Sequence, residues 1–236
     1  TGLTAVNIPS AVTSIGSYAF YNCKSLGGTL TLPSGLTSIP SYAFYYCSSL
    51  TGDIIIPDNV TSIGAYAFYR CSGFDGTITL SENLTSIGST AFYGCTNITG
   101  ALILPDALTS LNSSVFYDCE KITSVEFGEN FKTHGYDAFD GCSSVTEVTF
   151  NNLTVAAISS NRYSPFYTMS KLETVYVPAG SYTAYADAYK SYIPSTARMK
   201  SIGATEDFQV DDGVLTAYFG TGGEVVVPEG VTAIGT

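Results

Sequence analysis

The sequence predicts a repeat solenoid: a right-handed coil of short parallel β-strands joined by tight helical turns, with few regular helices. Three observations carry this. Cys23, Cys47, Cys71, Cys95 and Cys119 recur every 24 residues, and Cys142 follows after 23. Phe20, Phe44, Phe68, Phe92, Phe116 and Phe139 keep the same phase, each three residues before its cysteine. Between these groups runs an alternating stretch such as Thr29-Leu30-Thr31-Leu32-Pro33. Alternation marks a half-buried strand, and a proline after the last inward residue ends it.

Further apolar positions hold the same register. Six residues after each Phe stand Leu26, Leu50, Phe74, Ile98, Ile122 and Val145. Five residues before it stand Ile15, Ile39, Ile63, Ile87 and Leu111, with His134 out of pattern. Each coil therefore reads as a strand, a shorter β-like piece (Val12-Thr13-Ser14-Ile15), and one helical turn (Tyr18-Ala19-Phe20-Tyr21-Asn22-Cys23). In a helical turn Ala19, Phe20 and Cys23 share the inward face, which leaves Tyr18, Tyr21 and Asn22 outside. The position of Gly16, Gly64, Gly88 and Gly135 is Pro40 and Asn112 in two rungs, so it cannot require positive φ; glycine there relieves crowding at a bend. One coil cannot bury its own apolar face, so the core forms only by stacking neighbours about 4.8 Å apart.

The expected organisation is an array over 1–178, with six regular rungs and a degenerate seventh (Phe166, Met169, Leu172) beyond a longer loop through Asn161-Arg162-Tyr163. A helical cap follows over 179–201, with Ser181–Tyr192 as the helix and Ser181 as its N-cap. Residues 202–236 read as a hairpin turning at Asp211-Asp212-Gly213, then the start of a second array at Glu224–Pro228 and Val231–Gly235. The chain begins and ends inside the repeat pattern, as a fragment or processed product would, and no signal peptide stands at its start.

Composition narrows function. Apolar residues make up 45% and charged residues 12%, which fits a folded chain. Twenty acidic against nine basic residues give a net charge of −11 with no basic stripe, which argues against nucleic acid and anionic membrane surfaces as partners. No apolar run reaches the ~20 residues of a membrane span.

The pattern Val-x-x-Ile-Gly-x-x-Ala-Phe-x-x-Cys-x-x-Leu, followed by an alternating strand and proline, resembles the BspA-like leucine-rich repeat over residues 3–178, and again at 224–235. Rung 60–74 matches at every position except Phe74. The copy departs from the family in an extra residue before the strand (Gly27-Gly28, Thr51-Gly52, Thr99-Gly100) and in its loose seventh rung. The resemblance implies an extracellular or cell-surface protein of a host-associated bacterium, an adhesion module binding host or cell-surface proteins or glycans. It implies no shared catalytic residues and no cofactor. The alternative is a structural spacer within a larger surface protein.

Several residue sets are candidates for more than packing. The six cysteines read as a reduced buried ladder rather than three disulfides, because the Cβ vectors of stacked positions run parallel and stay too far apart. Zinc needs clustered ligands, and a ladder with a single histidine does not supply them. His134 reads either as a general base near Asp137 or Asp140, or as a tolerated substitution in a worn rung; the second is favoured. Asp207, Asp211 and Asp212 read as a solvated turn rather than a calcium site. The outward rows Tyr18, Tyr42, Tyr66 and Tyr21, Tyr45, Tyr69, extended by Tyr93 and Tyr117, suit either a contact surface or a ring ladder shielding the turns. The outward strand positions Thr31, Ile55, Thr79, Ile103 and Glu126, then Thr149 and Tyr176, line one sheet face and vary more than the core, as a recognition face would.

Overall fold

The computed structural model describes residues 2–158, 166–178, 180–189, 191–202, 208–211, 214–218 and 232–235. The array is a parallel β-solenoid with very little helix. Ser38–Ile39, Ser62–Ile63 and Ser86–Ile87 pair in parallel on one side of the coil. On the other side Ile54–Ile55 pairs with Ile78–Thr79. Gly100–Ile103, Ile122–Phe127, Glu147–Phe150, Thr174–Val177 and Arg198–Ser201 then form one five-stranded parallel sheet. The early strands are shorter than the alternation predicts. In Thr29–Pro33 only Thr29 belongs to a strand, although Leu30 and Leu32 are buried and Thr31 exposed as expected.

The core is a set of columns. Consecutive Phe rings from Phe20 to Phe139 stack with centroids 5.1–5.7 Å apart and planes within 8°. From the second rung onward these rings are fully buried, while Phe20 in the first rung is only partly covered. Stacked rings gain about 0.5–1.5 kcal/mol per pair beyond their area burial. Each rung thus stabilises both neighbours.

The segment predicted as a helical turn is something else. Tyr18, Tyr42, Tyr66, Thr90, Ser114 and Asp137 all have φ between 51° and 63°. So do Asn22, Tyr46, Arg70 and Asp118 four residues further on in their rungs, and Gly94 and Gly141 share that second place with φ of 71° and 81°. Left-handed residues cannot continue a right-handed helix. The backbone instead alternates its bonds. Ala43, Tyr45 and Cys47 close tight turns on Pro40, Tyr42 and Phe44, while Tyr42, Phe44 and Tyr46 donate to Ala65, Ala67 and Tyr69 of the next rung. Every second N–H ties rungs together, which offsets the cost of the left-handed residues.

The bend glycines behave as expected. Gly64, Gly88 and Gly135 lack positive φ, and a Cβ on any of them would lie 2.1–2.3 Å from backbone atoms of the preceding rung. Close approach to the preceding rung favours glycine at these three positions, whereas Gly16, in the first rung, has nothing within 4 Å of where its Cβ would lie.

At the C-terminal end the helix spans Tyr182–Tyr189, shorter than predicted. Ser181 is not a simple N-cap: its hydroxyl donates to the Leu153 carbonyl (2.8 Å), tying the helix start to the degenerate rung. Phe166, Met169 and Leu172 are buried and repeat the rung's turn bonds. Arg198–Ser201, placed within the cap by sequence, pairs in register with Thr174–Val177 and extends the array's sheet. Beyond it Phe208–Asp211 and Val214–Tyr218 pair antiparallel, and Ala233–Ile234 lies parallel to Val214–Leu215. Asn161-Arg162-Tyr163, Asp207, Asp212, Gly213 and Glu224–Pro228 lie outside the described residues, as does the Asp211 side chain.

Candidate functional site

The cysteine ladder is structural. All six thiols are free and buried. From the second rung on, each Sγ donates to the Phe carbonyl of the preceding rung: Cys47 to Phe20 and Cys71 to Phe44 at 3.0 Å, Cys95 to Phe68 at 3.2 Å, Cys142 to Phe116 at 3.3 Å, Cys119 to Phe92 at 3.4 Å. Cysteine therefore supplies both a small apolar body and a donor between rungs. Burial pushes the Cys47 and Cys95 thiols up to about 12 and raises Cys71, Cys119 and Cys142 well above their ordinary range. A buried thiol held protonated is a poor nucleophile. The native protein at pH 8 should therefore leave Cys47, Cys71, Cys95, Cys119 and Cys142 unlabelled by Ellman's reagent, with all six reacting in guanidinium. Rapid native labelling of several would contradict this.

His134 is no general base. It is fully buried, ringed by Phe127, Phe131, Phe150, Phe166 and Tyr189. Its Nε2 lies 3.0 Å from the Tyr189 hydroxyl, and that hydroxyl donates to the Ala156 carbonyl at 2.6 Å. With its proton committed to Ala156, the hydroxyl accepts from Nε2–H, which fixes the neutral tautomer. Nδ1 has no partner. Burial lowers the imidazole from 6.5 to about 3. The histidine thus replaces the usual Ile or Leu where the capping helix brings in a polar tyrosine.

The tyrosine rows are stacked columns. Tyr18–Tyr42 and Tyr42–Tyr66 stack at 4.8 and 4.9 Å. Tyr21–Tyr45, Tyr45–Tyr69, Tyr69–Tyr93 and Tyr93–Tyr117 stack at 4.6–5.0 Å. Both faces of Tyr42, Tyr45, Tyr69 and Tyr93 are therefore covered by neighbours, and ring edges remain for solvent. Arg70 closes this side: its Nη1 donates to the Tyr46 hydroxyl (3.0 Å), and its guanidinium lies 5.7 Å from the rings of Tyr46 and Tyr69.

The outward sheet face is different. Parallel pairing sets Ile55 beside Thr79, Ile103 beside Glu126, Glu126 beside Thr149 and Thr149 beside Tyr176. Ile55 and Ile103 are each 58% exposed, whereas the inward strand isoleucines Ile54, Ile56 and Ile78 are buried. Thr79, Ile103 and Glu126 line a groove of about 520 Å³. Glu82, Asp106 and Glu129 border it, and among the described residues no Lys or Arg lines it. The Glu126 carboxylate accepts from Asn151 Nδ2 at 2.8 Å, which fixes one wall. The bordering carboxylates are a repeat feature that the sequence reading missed. Asp58, Glu82, Asp106 and Glu129 each stand ten residues before their Phe, so the signal lay in the same register as the core. Beside them Asn59, Asn83 and Asn130 donate to the carbonyls of Ser34, Asp58 and Asp106 in the preceding rung, holding the row in line.

Among the described residues no group of His, Cys, Asp and Glu is placed to hold a metal ion. No helix there is long and apolar enough to cross a membrane.

Parallel rungs of about 24 residues, a continuous Phe and Cys core and a variable outward sheet face define a leucine-rich-repeat solenoid. The comparisons agree: the model for the BspA type leucine rich repeat region matches residues 1–100 and 76–194 in six copies. The chain belongs to the BspA-type leucine-rich repeat family. It is similar to the solved T. pallidum leucine rich repeat protein, with 25% identity, a TM-score of 0.63, and coverage of 83% of this chain and 86% of that one. It also resembles the pneumococcal vaccine antigen PcpA in fold, with 20% identity, a TM-score of 0.58, and coverage of 77% of this chain and 43% of that one. No curated protein matches the chain. Proteins with this repeat are typically binding modules, often at the cell surface.

Proposed function

We propose that this chain is a protein-binding adhesion module, displayed outside the cell, that engages a host or cell-surface partner through its outward sheet face and carries out no catalysis. The supporting observation is the exposure of the aliphatic side chains Ile55 and Ile103 on the outward strand face, where Ile54, Ile56, Leu102 and Leu104 beside them point inward and are buried. Exposed apolar groups beside a groove are where association gains most from water release. Glycans are the weaker choice of partner. Sugar rings pack on aromatic faces, and the stacked tyrosines have spent most of theirs on one another.

The test uses the whole chain on arrays of extracellular-matrix and host-surface proteins and on glycan arrays, beside the variant Ile55→Thr/Ile103→Thr. Threonine already stands at the equivalent Thr31 and Thr79. The chain should capture at least one protein, and the variant should lose about tenfold or more in affinity. Binding unchanged by the double substitution, or no binding on either array, would overturn the reading.

A further inference from the structure

We infer that the partner segment is a basic, extended peptide that lays cationic side chains along the row Glu82, Asp106 and Glu129 and an aliphatic side chain on Ile103. This rests on the protein-binding reading above and specifies the chemistry of the same face.

Three observations support it together. The groove is lined by the aliphatic side chain of Ile103, by Glu126 beside it in the same outward strand row, and by the exposed carboxylates of Glu82, Asp106 and Glu129. The carboxylates repeat once per rung, so like charges stand roughly 4.8 Å apart along the coil. Such a row is repulsive in the free protein, and a line of ligand cations relieves it. Finally, among the described residues no Lys or Arg lines the groove: Lys24 lies over the Tyr46 ring and Arg70 is bound to Tyr46, both on the tyrosine side, and Lys132 lines the neighbouring pocket that shares Glu129 and Asn151. Within the groove the complementary charge comes from the ligand. An alternating basic and apolar strand fits, because the carboxylate row and the Ile55–Ile103 row run side by side across the strands.

Fluorescence anisotropy on the full chain tests this with labelled short peptides that alternate lysine with valine, glutamate with valine, or serine with valine. The lysine peptide should bind, and its affinity should fall at least about tenfold between about 0.05 and 0.5 M salt. The glutamate and serine peptides should bind at least about tenfold more weakly. The triple variant Glu82→Gln/Asp106→Asn/Glu129→Gln should lose lysine-peptide binding. The equally charged control Asp118→Asn/Asp137→Asn/Asp140→Asn, which alters carboxylates on the tyrosine-bearing turns, should keep it. Equal loss in both triple variants would mean attraction to net charge and overturn the inference. So would equal binding of the three peptides. If the lysine peptide fails to bind while Ile55→Thr/Ile103→Thr still abolishes protein capture, the inference falls and the protein-binding reading stands. If that double variant changes nothing, the reading itself falls.

Discussion

Replacing Phe92 with alanine should cost about 3–5 kcal/mol of folding stability, the range for removing a buried aromatic side chain. Phe92 is fully buried and stacks on Phe68 at 5.2 Å and on Phe116 at 5.3 Å. Its loss opens a cavity and breaks the column in both directions. In a solenoid each rung is held by its neighbours, so a break in the middle uncouples the two halves. Phe20→Ala should cost less than half as much, because Phe20 is only partly buried and stacks on Phe44 alone in the column. Urea unfolding followed by circular dichroism measures both. Equal costs for the two variants, or a Phe92→Ala cost below about 1 kcal/mol, would contradict the nearest-neighbour account of the core.

The second large effect is acid sensitivity from His134. Its folded-state pKa of about 3 lies below the unfolded value of 6.5. Between those values the unfolded chain holds the extra proton, so protonation favours unfolding. The contribution is constant above pH 6.5 and turns against folding as pH falls towards 3. Over the full interval it reaches at most roughly 4–5 kcal/mol, taking 1.36 kcal/mol per unit. His134→Leu restores the residue type of the other rungs and removes the unpartnered Nδ1, while Tyr189 still donates to Ala156. Carboxylates titrate in both proteins and cancel in the comparison. The stability difference between variant and parent should therefore be flat above pH 7 and grow steadily in the variant's favour below about pH 6.5. Parallel stability–pH curves would contradict the buried neutral histidine.

These two residues mark what the sequence could and could not reveal. The Phe and Cys columns were legible because a 24-residue period repeats the same inward side chain in each rung. The left-handed turns were not, because tyrosine at Tyr18, Tyr42 and Tyr66 carries no conformational signature. The hint lay in Asn22, Gly94, Asp118, Asp137 and Gly141, residue types that tolerate positive φ, scattered over two positions of the rung. The role of His134 was hidden because its partner Tyr189 lies 55 residues away and arrives on the cap. Arg198-Met199-Lys200-Ser201 shows too little apolar alternation to announce a strand; pairing with Thr174–Val177 makes it one. On the outward side the isoleucines were legible as a face. The acidic row beside them was not, because its mixed Asp and Glu carry no apolar signature and only their phase with the Phe column marks them as a row.

Placing the chemistry of the repeat inside and its recognition on the sheet face predicts that stability and binding separate. The most direct measurement is the urea unfolding midpoint of Ile55→Thr/Ile103→Thr taken beside its affinity for a captured protein. Stability should stay within about 0.5 kcal/mol of the parent, as for exposed positions, while affinity falls about tenfold or more. A destabilised protein that binds as before would put these isoleucines in the core's service and contradict the account.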